Sequence, residues 1–366
     1  MPSITNPGNS NLTPHLFIPR RTTEMTTEDI KTNFLAIQQW ADIVNGGAGH
    51  RYATVVVAQS GGSQPSLHSS QADADYICTG SNDDVTIQNA INSMTSGSGG
   101  APCGLLLLME GDYNFGTGTT GLNGKFIDIM GLSNSLTNFG TTLTVPTGCT
   151  NSFSVLKGFN RVSNLEVQVG DNATRVIKVV DDNGNTQNTS EVFIQGSLTL
   201  AAGSYGISVN TTANVRNCFV IDMAVGYIFQ SGVSYGTVHD NYSQGCTVGV
   251  QVDNHNNIVH GHHSHGDAKG IVLVSTAQDN TIQSNDINNH TSAALVVDGT
   301  NNNVQGNTLR KGGTTPANGL FINATANTCI VINNDCHASG TANFTDNGAG
   351  TIKNLDGSAN NWNRTT

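Results

Sequence analysis

Two aspartates have the residue type and the spacing for carbohydrate hydrolysis. Asp253 ends the short apolar segment GVQVD, and Asp298 ends the similar segment ALVVD. If these segments are stacked strands with one strand between them, the carboxylates lie two strand spacings apart, about 9.6 Å. An inverting glycosidase separates its acid and its base by about 6.5–9.5 Å. The pair is therefore a candidate catalytic site, and solvated or turn-capping aspartates are the alternative interpretation.

Aromatic side chains that could stack on sugar rings are few. Only 6% of the residues are aromatic, and both tryptophans, Trp40 and Trp362, lie near the ends of the chain. Within the segments that resemble stacked strands, the candidates for glycan binding are Tyr235, Tyr242 and Phe321.

The segment from His255 to His265 is dense in imidazole side chains. Strand alternation predicts that His260 and His262 lie on one face, and such a pair, repeated by a threefold axis, would offer six nitrogens to a transition metal. The alternative is a polar turn with stacked imidazoles, and His262 also fits a polar column described below. Apart from this candidate metal pair, we expect no metal and no cofactor.

The elements that would position these residues repeat along the second half of the chain. Strand-like segments begin at Gly206, Gly226, Gly249, Gly270, Ala294 and Gly319, which are 20 to 25 residues apart. Each is followed by a polar turn and a second strand that carries Asn241, His262, Asn285, Asn307 or Asn334 at one recurring place. A period of this length is typical of a solenoid, and a recurring asparagine is typical of a side-chain ladder. The sequence predicts an all-β, right-handed parallel β-helix.

Alternation within the first strands predicts two inward columns and an unusual outward one. The outward column contains the apolar residues Ile228, Val272, Val296 and Phe321. A monomer rarely leaves a large contiguous apolar patch in water, so either a loop or another subunit covers this stripe. We expect a homotrimer with three solenoids side by side.

An N-terminal helix precedes the solenoid. In TTEDIKTNFLAIQQWADIVNGG, Ile30, Phe34 and Ile37 are spaced by four and three residues, as in a coiled-coil seam. The helix either packs on its own domain or serves as a short oligomerising and docking element. A second predicted helix has Asp83 or Asp84 as its N-cap. We expect this helix to cover the open end of the solenoid. The expected divisions are 1–50, arm and helix; 51–116, entry and capping helix; 117–342, β-helix; and 343–366, C-terminal end.

Charge and composition exclude several classes of partner. The net charge of −11 argues against non-specific binding of nucleic acid and of anionic membrane surfaces. No apolar stretch typical of a secretion signal follows Met1, so synthesis in a cytoplasm is expected. The seven cysteines form no CxxC pair, which predicts reduced, mostly buried thiols rather than a disulfide framework.

The segment ADYICTGSNDDVTIQNAINSM, followed by GGAPCGLLLLMEGDYNF, resembles the entry motif of the pectate-lyase-like β-helix superfamily. The version found here is most similar to minor tail and tailspike proteins of bacteriophages. The resemblance covers residues 72 to 116 by motif and carries no catalytic signature. It implies a virion component that attaches to other tail or baseplate proteins through residues 1–50. The matching residues are Asp83, Asp84, Ile87, Gln88, Ala90, Ile91, Gly111 and Tyr113.

The leading functional hypothesis is a structural, receptor-binding component of a bacteriophage tail, a trimeric spike or fibre that engages a host surface glycan. The second hypothesis is a polysaccharide depolymerase, a glycoside hydrolase or a lyase, that uses the paired carboxylates. The third is an architectural fibre or decoration protein of the virion.

Overall fold

The computed structural model describes residues 53–94, 104–117, 121–124, 127–132, 140–147, 154–170, 175–179, 187–196, 203–209, 213–230, 235–310, 318–337 and 342–353. The predicted N-terminal helix with Ile30, Phe34 and Ile37 lies outside these residues.

Short strands dominate the described part of the chain. The first half contains β1 (Ala53–Gln59), β2 (Tyr76–Cys78), β3 (Gly104–Leu108), β4 (Gly111–Asn114), β5 (Leu122–Asn123), β6 (Asp128–Gly131), β7 (Thr141–Val145), β8 (Ser154–Lys157), β9 (Arg161–Val169), β10 (Arg175–Val179) and β11 (Gln187–Gln195). The middle contains β12 (Tyr205–Val209), β13 (Ala213–Arg216), β14 (Phe219–Ile221), β15 (Val225–Phe229), β16 (Thr237–His239), β17 (Tyr242–Gln244), β18 (Val248–Val252), β19 (Ile258–His260) and β20 (His263–His265). The remainder contains β21 (Lys269–Leu273), β22 (Thr281–Gln283), β23 (Asp286–Asn288), β24 (Ala293–Val297), β25 (Asn303–Gln305), β26 (Thr308–Arg310), β27 (Asn318–Ile322), β28 (Ile330–Ile332), β29 (Asp335–His337), β30 (Ala342–Asp346) and β31 (Ile352–Lys353). The described helices are α1 (His68–Ala72) and α2 (Asp83–Ser93).

These strands form a right-handed parallel β-helix of about eight turns, which confirms the predicted fold. One sheet stacks ten strands, from β5 to β30, and the other contains 21 strands in two adjoining columns. From β12 onward, one coil comprises a strand of the first sheet and two shorter strands of the second, as in β15, β16 and β17. The parallel pairing continues to β30 and β31, so it reaches Lys353.

A left-handed residue marks the corner between the two short strands of a coil, and the matching place inside the longer strands β9 and β11. Asparagine, aspartate and glycine tolerate this conformation best, which explains their abundance here. The residue after the corner points into the solenoid and is buried. The left-handed corner residues are Asn164, Glu191, Asn217, Asp240, Gly261, Ser284, Gly306 and Asn333.

Asparagine ladders line two of the corners, and the predicted one is confirmed. The side-chain oxygen of Asn307 accepts from the Asn285 side chain at 2.9 Å, and that of Asn334 accepts from Asn307 at 2.8 Å. At the corner between the ten-stranded sheet and the first short strand, Asn257, Asn280 and Asn302 form a second ladder that the sequence did not lead us to expect. Both ladders satisfy buried backbone groups at bends where the strand pairing is interrupted.

The first strands of the coils have a glycine that also faces inward. A Cβ atom at Gly249 would lie 2.6 Å from an Asp267 carboxylate oxygen, from the Ser243 hydroxyl and from the Gly270 carbonyl oxygen. No real Cβ atom approaches other atoms so closely, hence glycine is required there. In a later coil Ala294 occupies the equivalent position, where the chain does have room for a methyl group.

Helix α2 packs on the first strands of the described solenoid, with Ile87, Ala90 and Ile91 in the core. Its N-cap is Asn82, in a left-handed conformation, rather than Asp83 or Asp84. The two aspartates lie in the first helical turn and accept hydrogen bonds from other segments. Asp83 accepts from the Asn114 backbone and the Gln59 side chain, while Asp84 accepts from the Gly116 backbone. These hydrogen bonds hold α2 against the first coils. The two aspartate side chains therefore turn away from the N–H groups of α2 itself.

The outward apolar column has the predicted register. Ile228, Val272, Val296 and Phe321 lie in successive strands of the ten-stranded sheet, with Gln251 between the first two. Val272, Val296 and Ala293 form a cluster separate from the interior, against which Val248, Val274 and Phe321 pack. Ile228 is 2% exposed and Val272 and Val296 are each 8% exposed within the single chain. The single chain therefore already shields most of this column from solvent.

Candidate functional site

An exposed column of aromatic rings runs along the second short strands of three neighbouring coils. Phe219, Tyr242 and His263 each follow the buried corner residue of their coil and face outward in matched register. The ring centroids of Phe219 and Tyr242 are 5.5 Å apart, and those of Tyr242 and His263 are 5.3 Å apart with planes 10° apart. We call these three residues the aromatic column; Phe193 occupies the matching position one coil earlier.

The aromatic column combines apolar area with hydrogen-bonding groups. Phe219 is 41% exposed, so its ring presents apolar surface to solvent beside Tyr242. The Tyr242 hydroxyl donates to the Gln244 side chain at 2.8 Å. His265, in the strand next to Gln244, contacts the Asn288 side chain at 2.6 Å. A row of aromatic rings flanked by amides and imidazoles is suited to sugar rings, whose C–H faces are apolar and whose rims are hydroxylated.

The structure separates the three aromatic residues that the sequence pattern indicated for glycan binding. Tyr242 is the central ring of the aromatic column. Tyr235 is 67% exposed and lies in a left-handed conformation before β16, at another corner. Phe321 lies on the ten-stranded sheet within the outer apolar cluster. Phe219 and His263 were not predicted to bind glycan. Each directly follows the recurring buried corner residue, and this position was the signal that could have identified them.

The paired aspartates lie where the repeat placed them. Asp253 and Asp298 follow β18 and β24 at matched backbone positions, and Val274 occupies the same position in the intervening coil. Burial raises the pKa of Asp253, partly offset by a hydrogen bond that the Gln251 side chain donates at 2.8 Å. A carboxyl group with a raised pKa has the property required of a general acid. This surface lies on the sheet that carries Phe321, away from the aromatic column.

The expectation that His260 and His262 share a face is wrong. Gly261, between them, adopts the left-handed corner conformation and reverses the direction of the next side chain. His262 is fully buried, while His260 faces outward on the other side of the wall. His263 and His265 do share the outer face, with ring centroids 6.4 Å apart.

Inside the wall beneath the aromatic column lies a buried polar network. The Asp267 carboxylate accepts from the Ser243 and Ser264 hydroxyls, both at 2.6 Å, and from the Cys246 backbone at 2.7 Å. The Ser243 oxygen also lies 2.9 Å from Nε2 of His262. Burial raises the pKa of Asp267 to about 6 and lowers the pKa of His262 to about 3. These residues have the types of a hydrolytic triad, but their burial keeps substrates away, so the network is structural.

The described cysteines are free and buried, as predicted for reduced thiols in the interior. These residues are Cys78, Cys218, Cys246, Cys329 and Cys336.

Residues 147–315 match the family model described as periplasmic copper-binding protein (NosD). This stretch contains the aromatic column and the histidine-rich segment. Among the described residues, no group of three or more His, Cys, Asp or Glu side chains is arranged to hold a metal ion.

Three solved structures illustrate the range of similar folds. ORF18 of Geobacillus virus E2 is 14% identical with a TM-score of 0.41, and the alignment covers 69% of this chain and 58% of that one. The Agl-KA catalytic domain is 11% identical with a TM-score of 0.40, covering 74% and 54%. The DFA-IIIase of Arthrobacter chlorophenolicus A6 without its lid is 12% identical with a TM-score of 0.37, covering 75% and 87%.

The comparison with curated proteins found no match. None of the described helices has the length and apolarity needed to cross a membrane. The chain spans little more than half of the virus protein's length.

Proposed function

We propose that this protein is a β-helical component of a bacteriophage tail that binds a host surface polysaccharide through the aromatic column. The entry motif around Asp83, Asp84 and Tyr113 supports the tail assignment, because it resembles that of phage tail and tailspike proteins. The observation that carries the binding role is the exposed stack of Phe219, Tyr242 and His263. Three matched strands hold these rings in place, so little side-chain entropy is lost when a ligand binds.

The length of the column suits a chain-like ligand. Three rings in adjacent coils span two strand spacings, about 9.6 Å, which is close to the length of two linked sugar units. Because the strands fix this spacing, a polysaccharide lying along the solenoid axis can contact each ring in turn. A small monosaccharide would use only part of this surface.

We also propose that three chains associate side by side, through the outer apolar cluster, and that residues 1–50 attach the trimer to other virion proteins. Val248, Val274 and Phe321 are partly buried at the edge of the cluster and would gain contacts from a neighbouring chain. Light scattering at micromolar concentration is expected to give three times the chain mass of 38.3 kDa. A mass equal to that of one chain would contradict the proposed trimer without affecting the proposed binding role.

Polysaccharide depolymerisation is the second candidate function. Its support is the raised pKa of Asp253 together with Asp298 at the matched backbone position. In this mechanism Asp253 would donate a proton to the leaving oxygen and Asp298 would activate water. A reducing-sugar assay on any polysaccharide that the protein binds distinguishes catalysis from binding alone.

The test of the binding role is Tyr242→Ala, measured by affinity electrophoresis against polysaccharides purified from candidate host strains. The loss of one central ring is expected to weaken binding about tenfold, corresponding to about 1.4 kcal/mol of stacking and apolar contact. Tyr242→Phe is expected to retain binding because phenylalanine already occupies the column at Phe219.

Tyr235→Ala is the matched control, since it removes an equally large and more exposed ring from another corner. The proposal fails if Tyr235→Ala weakens binding and Tyr242→Ala does not, or if no polysaccharide is bound. Thermal unfolding of each variant verifies that the solenoid is intact.

A further inference from the structure

A tyrosine lies inside the solenoid beneath the aromatic column. Tyr227 belongs to β15 of the ten-stranded sheet, and its side chain is fully buried. The residues paired with it in the neighbouring strands are Ile207 and Val250, and the next residue in this inward column is Ile271. A column that is aliphatic in the coils on either side therefore carries a hydroxyl group in the coil that also contains Tyr242.

The Tyr227 hydroxyl lies between the backbone segments that carry two rings of the aromatic column. It donates to the carbonyl oxygen of Cys218 at 2.8 Å and lies 3.0 Å from the carbonyl oxygen of Tyr242. Cys218 directly precedes Phe219, and its carbonyl oxygen also accepts from the Tyr242 backbone N–H at 2.9 Å. A hydroxyl group has one proton to donate, so the two carbonyl oxygens share it. The hydroxyl thus links the backbone before Phe219 to the backbone of Tyr242.

The ring of Tyr227 also contacts the residue that precedes the third member of the aromatic column. It packs edge-on against His262, with ring centroids 5.4 Å apart and planes 80° apart. His262 directly precedes His263, and its Nε2 lies 2.9 Å from the hydroxyl oxygen of Ser243, the residue after Tyr242. Tyr227 therefore contacts the chain at, or immediately before, each of the three rings.

The hydroxyl of Tyr227 affects position more than stability. An isoleucine or a valine, as in the neighbouring coils, would fill the interior without a polar group to satisfy. Burial of a hydroxyl group costs free energy that its hydrogen bonds largely offset, so the net gain in stability is small. The same hydrogen bonds hold the carbonyl groups of two coils relative to each other. The rings of Phe219 and Tyr242, which project from these coils, are thereby kept at their separation of 5.5 Å.

We propose that Tyr227 is the positioning residue of the aromatic column, and that its hydroxyl increases the affinity for polysaccharide without contacting the ligand. This inference rests on the proposed function. A ligand that stacks on rings already held at the required spacing causes less loss of conformational entropy when it binds. Removal of the hydroxyl should therefore weaken binding although every ring of the column is still present.

Tyr227→Phe removes the hydroxyl and keeps the ring that packs on His262. Its affinity is measured on the full chain by affinity electrophoresis, with the polysaccharide that the unaltered protein binds and well below the midpoint of thermal unfolding. We expect binding to become about threefold weaker, because the ligand must then order a ring that was fixed before. In the Tyr242→Ala background, Tyr227→Phe should cause no further loss, because the stack between Phe219 and Tyr242 no longer exists to be positioned.

Tyr113→Phe is the matched control. Tyr113 is also fully buried, and its hydroxyl lies 3.0 Å from the carbonyl oxygen of Val57 and 2.9 Å from that of Met109. It therefore makes the same two kinds of contact, but in the first coils of the described solenoid. We expect the two Phe variants to lower the midpoint of thermal unfolding to a similar extent, and only Tyr227→Phe to weaken binding.

The outcomes distinguish the positioning role from the glycan site. If Tyr242→Ala weakens binding and Tyr227→Phe does not, the positioning role is overturned and the glycan site is retained. An equal loss of affinity in Tyr113→Phe, or an undiminished loss on adding Tyr227→Phe to Tyr242→Ala, would show a general effect on the fold and would also overturn the positioning role. If Tyr242→Ala does not alter binding, the glycan site is wrong and the role of Tyr227 is overturned with it.

Discussion

We expect His262→Asn to raise the free energy of unfolding at pH 4.5 by about 3 kcal/mol more than it does at pH 7.5. His262 is fully buried, and burial lowers its pKa from 6.5 to about 3. The unfolded chain therefore binds a proton at His262 below pH 6.5, whereas the folded chain does not bind it until about pH 3. Stability is lost across this window, because each tenfold difference in proton affinity between the two states corresponds to about 1.4 kcal/mol.

Asparagine suits position 262 because the neighbouring coils already have it. Asn285 accepts a hydrogen bond from the His262 backbone, but His262 has no amide oxygen to offer Asn241 in return. The substitution would provide that oxygen and extend the ladder through Asn241. It also removes the contact of His262 with Ser243 and its edge-on packing against Tyr227, so the benefit at neutral pH is smaller than the change in acid resistance.

Urea unfolding at pH 4.5 and pH 7.5 measures this difference directly. His255→Gln, which replaces an exposed histidine, is the control and should not alter the pH dependence. If His262→Asn changes the free energy of unfolding by the same amount at both pH values, the interior assignment of His262 is wrong.

Replacing Asp267 with asparagine is expected to stabilise the protein at pH 7.5 by about 2 kcal/mol. Burial raises the pKa of Asp267 from 3.8 to about 6, which places an unfavourable ionised carboxylate in the wall at neutral pH. The cost is present above pH 6 and disappears below pH 3.8, where both the folded and the unfolded chain are protonated. The raised pKa corresponds to about 3 kcal/mol, and rearranging the two serine hydroxyls around an amide offsets part of it.

The stabilisation by Asp267→Asn should therefore disappear at pH 3.5. The two substitutions thus depend on pH in opposite directions, because His262→Asn has its larger effect at low pH. The matched control is Asp279→Asn, at an exposed left-handed corner where Asn256 and Asn301 occupy the equivalent positions. Destabilisation by Asp267→Asn at pH 7.5 would show that the carboxylate is needed in its charged form and would contradict this account.

The fold could be predicted because successive coils have to meet the same structural requirements. Each coil needs an inward apolar strand, a bend and a polar partner at the bend, and these requirements appear as the spaced glycines and as Asn241, Asn285, Asn307 and Asn334. The outward register of Val272, Val296 and Phe321 follows from the same repeat.

The candidate site was harder to predict because the corners interrupt strand alternation. Simple alternation placed His260 and His262 together, whereas the left-handed Gly261 sends them to opposite sides of the wall. The same reversal brings Phe219, Tyr242 and His263 into one column, although they are 23 and 21 residues apart in sequence. Counting from the buried corner residue, rather than from the preceding strand, would have identified this column.

The most direct test of the glycan site is a crystal structure of the protein with an oligosaccharide from a polysaccharide that it binds. We expect sugar rings in contact with Phe219 and Tyr242, extending along the solenoid axis toward His263. Sugar density over Asp253, Asp298 and Phe321 on the ten-stranded sheet, with none on the aromatic column, would contradict the account.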